Sequence, residues 1–163
     1  MTQATLDALA RAVGACLKAA GGVLATAESC TGGWVAQAVT SVAGSSQWFD
    51  RGFVTYSNDA KQEMLGVSGE TLARHGAVSE EAAREMALGA LARSRADVVL
   101  AVTGVAGPAG GTAAKPVGMV CFAWARRGGA PRTETRRFNG DREQVRRESV
   151  AAALQGVLRC LEG

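Results

Sequence analysis

Apolar residues recur at Leu6, Leu9, Val13, Leu17 and Ala20, the spacing of one helix face. Gly21-Gly22 then supply the left-handed stop that helix ends favour, so the pattern predicts an amphipathic helix from about residue 4 to residue 20. Val23 to Thr26 follow as a short buried strand. The turn Ala27-Glu28-Ser29-Cys30-Thr31-Gly32-Gly33 leads into a helix whose apolar stripe is Trp34, Val35, Ala38 and Val39 and which stops before Ala43-Gly44-Ser45-Ser46. Phe53 to Tyr56, β-branched and aromatic, read as a strand. Asn58 is the expected cap of a short helix carrying Lys61, Met64 and Leu65. Ser79 caps a longer one running to about Ser94, with Glu80 and Glu81 in the first turn, where the helix dipole favours them. Asp97 to Thr103 is an apolar run of strand length, consistent with a strand covered on both faces, and it ends in the glycine-rich loop Gly104 to Thr112. Val117–Ala125 and Arg132–Phe138 form a hairpin about Gly128-Gly129, and Gly140-Asp141 open a last helix to about Leu161.

Helices alternating with strands, closed by a hairpin, predict a three-layer α/β/α sandwich on a mixed, mostly parallel sheet. At 163 residues the chain suits one domain spanning residues 1–163, large enough to bury a core. The composition is globular, 47% apolar and 20% charged. Neither a secretory leader nor an apolar run of bilayer length is expected in it, so the sequence reads as a cytoplasmic protein without membrane contact. Cys16, Cys30, Cys121 and Cys160 never form a C-x-x-C pair, which fits reduced thiols rather than a zinc knuckle or redox dithiol. With His75 the single histidine, a multi-histidine metal site is excluded. A Ser-His-Asp triad would have to use His75, which sits in a stretch resembling a helix end. The net charge is +3, but eight arginines fall between Arg126 and Arg147; this is a surface for nucleic acid or a phosphorylated ligand, or a solvated strand and helix face.

Ligands of α/β sheets collect in the loops beyond the carboxyl ends of the strands, which points to the loops after Thr26, Tyr56 and Thr103. The turn at Ser29 to Gly33 reads equally as an anion cradle, glycines and free N–H groups at a helix start, or as a plain N-cap. Ser29, Thr31, Thr103 and the backbone amides of both glycine loops would hold a phosphate. No P-loop or dinucleotide fingerprint is present, which argues against an NTPase or a nicotinamide oxidoreductase. Catalytic candidates are Ser46, Tyr56 and Lys61. A serine needs a base to take its proton, and with histidine scarce the substitute is a lysine kept neutral, alone or relayed through a tyrosine. Cys30 is a weaker nucleophile candidate. The residues alone leave Ser46, Ser45 and Ser29 open.

Seven blocks add a resemblance: Ala27 to Gly33, Gly44-Ser45-Ser46-x-Trp48-Phe49, Gly52 to Asn58, His75 to Ser79, Thr103 to Pro108, Lys115 to Gly118, and Phe138-x-Gly140-Asp141-Arg142. In this order, over about residues 5–160, the chain resembles the CinA C-terminal domain family, whose stand-alone members are nicotinamide-nucleotide amidases. The resemblance implies hydrolysis of the carboxamide of nicotinamide mononucleotide to nicotinic acid mononucleotide and ammonia, in NAD salvage, without metal or redox cofactor. It carries the nucleophile onto Ser46, the base onto Lys61 and an assisting role onto Tyr56. It gives Ser29, Thr31, Gly32, Thr103, Gly107 and Arg142 to the substrate, with Arg142 suited to the phosphate. Competing readings are an accessory protein of DNA uptake or damage response acting through the arginine-rich hairpin, and a nucleotide sensor without turnover. The apolar helix face of Leu6 and Leu9 suits a homodimer or higher homo-oligomer.

Overall fold

A computed structural model describes residues 1–162. The chain runs α1 (Gln3–Ala20), β1 (Leu24–Glu28), α2 (Trp34–Thr40), β2 (Phe49–Val54), α3 (Asn58–Leu65), α4 (Gly69–His75), α5 (Glu80–Ala92), β3 (Val98–Gly104), β4 (Met119–Arg126), β5 (Arg132–Arg137) and α6 (Arg142–Glu162), with a short 3-10 turn at Ser45–Gln47 before β2. The five strands form one open sheet in the order β2-β1-β3-β4-β5. β1 pairs in parallel with β2 and β3, while β3–β4 and β4–β5 are antiparallel. The expected mixed α/β/α sandwich is therefore present.

Alternation along the buried strands divides the core in two. On one face Leu24, Val98, Leu100, Val102, Val120, Phe122 and Trp124 pack against α1, α2 and α6. On the other, Ala25, Ala27, Val99, Ala101, Cys121, Ala123 and Ala125 meet α5, which answers with Ala82, Ala83, Met86, Ala87 and Ala90. Small side chains on both partners let this helix lie close to the sheet. The closeness propagates outward: a Cβ placed on Gly89 of α5 would sit 1.9 Å from the Leu65 carbonyl oxygen, so the missing side chain is what lets α3 dock on α5. α3 carries Lys61.

Several expectations are corrected here. The strand expected at Phe53–Tyr56 lies instead at Phe49–Val54, in register with β1 from Leu24↔Phe49 to Glu28↔Val54. It is an edge strand whose polar middle, Asp50-Arg51-Gly52, is largely solvent-facing, and this hid it from a reading by apolar content. Thr55 and Tyr56 leave the sheet, and Tyr56 is 62% exposed rather than a strand core residue. β1 runs past Thr26 to Glu28, because the Glu28 side chain is buried with its oxygens hydrogen-bonded. Ser57, not Asn58, caps α3, its hydroxyl accepting from the Ala60 amide. Of α4 only the C-terminal end was expected. Leu6 is fully buried in the protein's own core and Leu9 packs against it, so these residues offer no free face for a second copy.

Candidate functional site

Parallel pairing fixes what meets at the upper rim of the sheet. β1 ends at Glu28 and hands the chain to Ser29, whose amide donates to the Val102 carbonyl of β3 at 2.9 Å. Gly32 and Gly33 take left-handed backbone conformations, with φ of 60° and 104°, which glycine adopts at little cost, and the chain reverses into α2. The Glu28 carboxylate lies inside this turn. It accepts from the Thr31 hydroxyl at 2.6 Å and from the Val35 and Ala36 amides of α2 at 2.8 and 3.0 Å. The positive end of α2 thus meets an internal anion. The cradle expected for a ligand is occupied by the protein's own carboxylate, and Thr31 points to it rather than to a substrate. Gly32 likewise serves the turn. The turn's outward carbonyls, of Cys30 and Thr31, are held by the Arg146 guanidinium at 3.1 Å each, which also stacks on Trp34.

The second wall comes from α3. Lys61 stands on the fourth residue of that helix and is 1% exposed. Its Nζ lies 3.0 Å from Ser29 Oγ, 2.9 Å from the Thr55 carbonyl and 3.2 Å from the Tyr56 carbonyl. Burial lowers the lysine pKa from its ordinary value of 10.5, because an ammonium loses hydration that the site does not replace with a counter-ion. Nζ donates to all three oxygens, which occupies the three N–H groups of an ammonium. Loss of one proton leaves two N–H groups for the carbonyls and a lone pair that can accept from the Ser29 hydroxyl.

Ser29, Cys30, Tyr56, Lys61, Thr103, Gly107 and Arg142 line one cavity of about 310 Å³. Thr103 donates to the Ala77 carbonyl at 2.9 Å. Arg142, at the start of α6, bridges the mouth: it donates to the Gly107 carbonyl at 2.8 Å and to the Tyr56 hydroxyl at 3.1 Å. Beyond it opens a second hollow of about 590 Å³ edged by Ala106, Pro108, Val117, Asp141 and Glu143. Loops after β1, β2 and β3 therefore do share one cleft.

Ser46 is not in it. It lies exposed in the 3-10 turn that precedes β2, whereas Lys61 follows the far end of that strand. Six residues at about 3.3 Å each put the two ends roughly 20 Å apart. Ser45 shares its turn. Of the three serines the residues left open, Ser29 alone touches the lysine. Cys30 is no rival, since burial pushes its thiol up to about 12, with the Glu28 charge adding to the rise, and a thiol protonated at neutral pH is a poor nucleophile. His75 ends α4 3.3 Å from Glu81 and lines a separate groove. Sequence reasoning missed Glu28 and Arg146. The signal for Glu28 was a carboxylate ending an otherwise buried strand, just before a helix whose N-cap position is a glycine, Gly33, with no side chain to cap it.

Several side chains of the arginine-rich stretch make contacts within the fold, while Arg126, Arg127, Arg132, Arg136, Arg137 and Arg142 remain exposed. Arg126 donates to the Cys160 carbonyl and Arg127 to those of Leu91 and Ala96. Arg132 stacks on Trp124, Arg136 on Phe138 and Arg147 on Trp34.

Comparison with known proteins agrees with this architecture. The chain is 56% identical over 155 residues to Nicotinamide-nucleotide amidohydrolase PncC of Escherichia coli (strain K12), covering 95% of this chain and 94% of that one. It is 54% identical to a putative competence-damage inducible protein of Symbiobacterium thermophilum, there covering 96% of this chain but 39% of the longer relative. Among solved structures, the competence/damage inducible protein CihA from Agrobacterium tumefaciens superposes with a TM-score of 0.94 at 48% identity, over 98% of this chain and 96% of that one. A competence-damaged protein (CinA) superfamily protein from Escherichia coli gives 0.92 at 40% identity, over 98% and 93%. With the CinA C-terminal domain pattern matching residues 6–161, the chain belongs to the CinA C-terminal domain family.

Proposed function

We propose that this protein is a nicotinamide-nucleotide amidohydrolase, converting nicotinamide mononucleotide to nicotinic acid mononucleotide and ammonia in NAD salvage, with Ser29 as nucleophile and Lys61 as base. The single observation that carries the chemistry is the 3.0 Å contact between Lys61 Nζ and Ser29 Oγ in a buried pocket. It replaces the assignment of the nucleophile to Ser46. The relatives of matching length named as amidohydrolases support the substrate.

In this mechanism neutral Lys61 takes the hydroxyl proton as Ser29 Oγ attacks the carboxamide carbon. The backbone amides of Ala106 and Gly107, whose residues line the same cavity as Ser29, supply the donors for the developing oxyanion. Collapse breaks the C–N bond, and Lys61 returns its proton to the departing nitrogen, which leaves as ammonia. Water, deprotonated by the same amine, attacks the acyl ester. The acid product is released, and the proton passes back to Ser29. Tyr56 serves through two atoms. Its carbonyl accepts from Lys61, and its hydroxyl holds Arg142 at the mouth, where a guanidinium fork suits the substrate's phosphate. Thr103 and Gly107 complete the substrate wall. Four free thiols fit a cytoplasmic location, and among the described residues no helix is long and apolar enough to cross a membrane. The relatives of matching length named as amidohydrolases favour this reading over the DNA-binding one.

The test is direct: purified protein is incubated with nicotinamide mononucleotide, and ammonia and nicotinic acid mononucleotide are quantified together. Equimolar release of both is expected. Ligand-induced thermal stabilisation without either product would leave a sensor, and would overturn the enzyme.

A further inference from the structure

Glu28 takes no part in the steps above, yet it is fully buried immediately before the nucleophile. A buried carboxylate without hydrogen-bonded partners is expensive to retain. Here both oxygens are engaged, by donors drawn from only two places: the turn that carries Ser29 and the first turn of α2. The Thr31 hydroxyl and two helix amides converge on one side chain and so fix where the Ser29–Gly33 turn sits against the sheet. The same residue reaches the other half of the site through its backbone. The Glu28 carbonyl accepts from the Thr55 amide at 2.8 Å, and the Thr55 carbonyl is the 2.9 Å acceptor of Lys61 Nζ.

We infer that Glu28 is a positioning residue for the reaction: one residue sets the serine turn with its carboxylate and the lysine's acceptor at Thr55 with its carbonyl, and so holds Ser29 Oγ in line with Lys61 Nζ. The inference rests on the Ser29–Lys61 reading. Outer partners of this kind characteristically change activity by roughly ten- to a hundredfold when altered. Substrate-wall groups on Thr103, Gly107 and Arg142 belong to β3, the loop after it and α6. Loss of the Glu28 contacts should therefore appear in kcat and not in KM.

The experiment uses Glu28→Gln, in which an amide N–H₂ replaces one acceptor oxygen and confronts a backbone donor. Alongside it stand Thr31→Val, which removes one donor while leaving the carboxylate, and Thr31→Ser, which restores that donor. Each is assayed for ammonia release from nicotinamide mononucleotide, with the folded fraction measured on the same preparation by circular dichroism. Expected are a kcat lowered about ten- to a hundredfold per folded molecule in Glu28→Gln, a smaller loss in Thr31→Val that Thr31→Ser reverses, and KM within about twofold throughout. Wild-type kcat in folded Glu28→Gln, or a loss confined to KM, would overturn the inference. Should Glu28→Gln fail to fold, the Thr31 pair decides, and equal kcat in Thr31→Val and Thr31→Ser overturns it. An inactive wild-type protein would instead count against the amidase reading itself.

Discussion

Replacing Lys61 by methionine preserves most of the side-chain length and apolar stem while removing the amine. In the protein that amine has two carbonyl acceptors, at Thr55 and Tyr56, and one hydroxyl, at Ser29. Among the described residues no other titratable side chain hydrogen-bonds Ser29 Oγ. Losing a general base slows a reaction by roughly 10²–10⁴-fold, equivalent to about 3–5 kcal/mol of barrier at about 1.4 kcal/mol per decade. Because the mechanism uses the same nitrogen again as the acid that releases ammonia, the expected loss lies near the upper end. The assay is the initial rate of ammonia release from nicotinamide mononucleotide across a range of pH. In the wild type kcat/KM should climb as Lys61 loses its proton, through an apparent pKa below the ordinary 10.5, since burial disfavours the ammonium. In Lys61→Met that limb should vanish along with the rate. A methionine variant keeping more than about a tenth of wild-type kcat/KM, or showing the same limb, would refute the reasoning.

The same burial makes a stability prediction with a definite sign. Between the lowered folded pKa of Lys61 and 10.5 the unfolded chain binds the extra proton, so wild-type stability should rise with pH relative to Lys61→Met in urea titrations; an equal or opposite slope would contradict it. Arg142→Ala should raise KM for nicotinamide mononucleotide by roughly ten- to a hundredfold, the worth of charge-assisted bonds to a phosphate, while leaving turnover of the unphosphorylated riboside little changed; equal losses on both compounds would remove the phosphate role. Gly89→Ala, forcing a methyl to 1.9 Å from the Leu65 carbonyl oxygen, should destabilise the protein by about 3 kcal/mol or more in chemical denaturation, and unchanged stability would deny the α3–α5 approach.

Much of the fold was legible because its signals are local. The α1 stripe, the Gly21 stop and the apolar run of β3 each depend on residues within one or two turns of each other. The layered class follows from their alternation. The edge strand β2 was displaced in the sequence reading because its register comes from β1, a partner 25 residues away at Leu24↔Phe49, and its polar middle tolerates solvent. The site divides in the same way. Lys61, Tyr56, Thr103, Gly107 and Arg142 were found, and they do line one cavity. Ser46 was placed with Lys61 in the sequence reading and does not join it, because three hydroxyls within 18 positions of one another, Ser29, Ser45 and Ser46, look equivalent until the sheet assigns them to opposite ends. Parallel pairing sends Ser29 up to the rim and leaves Ser46 below. Thr31 and Gly32 were read as ligands for an anion. Thr31 does bind one, but it is the side chain of Glu28, whose role depends on a strand ending two residues later than its apolar run suggests, and the Gly32 amide donates within the turn to the Ser29 carbonyl.

Which hydroxyl attacks is settled most directly by comparing Ser29→Ala and Ser46→Ala proteins, both verified as folded, in ammonia release from saturating nicotinamide mononucleotide. With Ser29 beside the buried lysine, Ser29→Ala should lose activity by at least about a thousandfold, and Ser46→Ala should stay within about twofold of wild type. Full activity in Ser29→Ala, or a collapse in Ser46→Ala alone, would contradict the assignment.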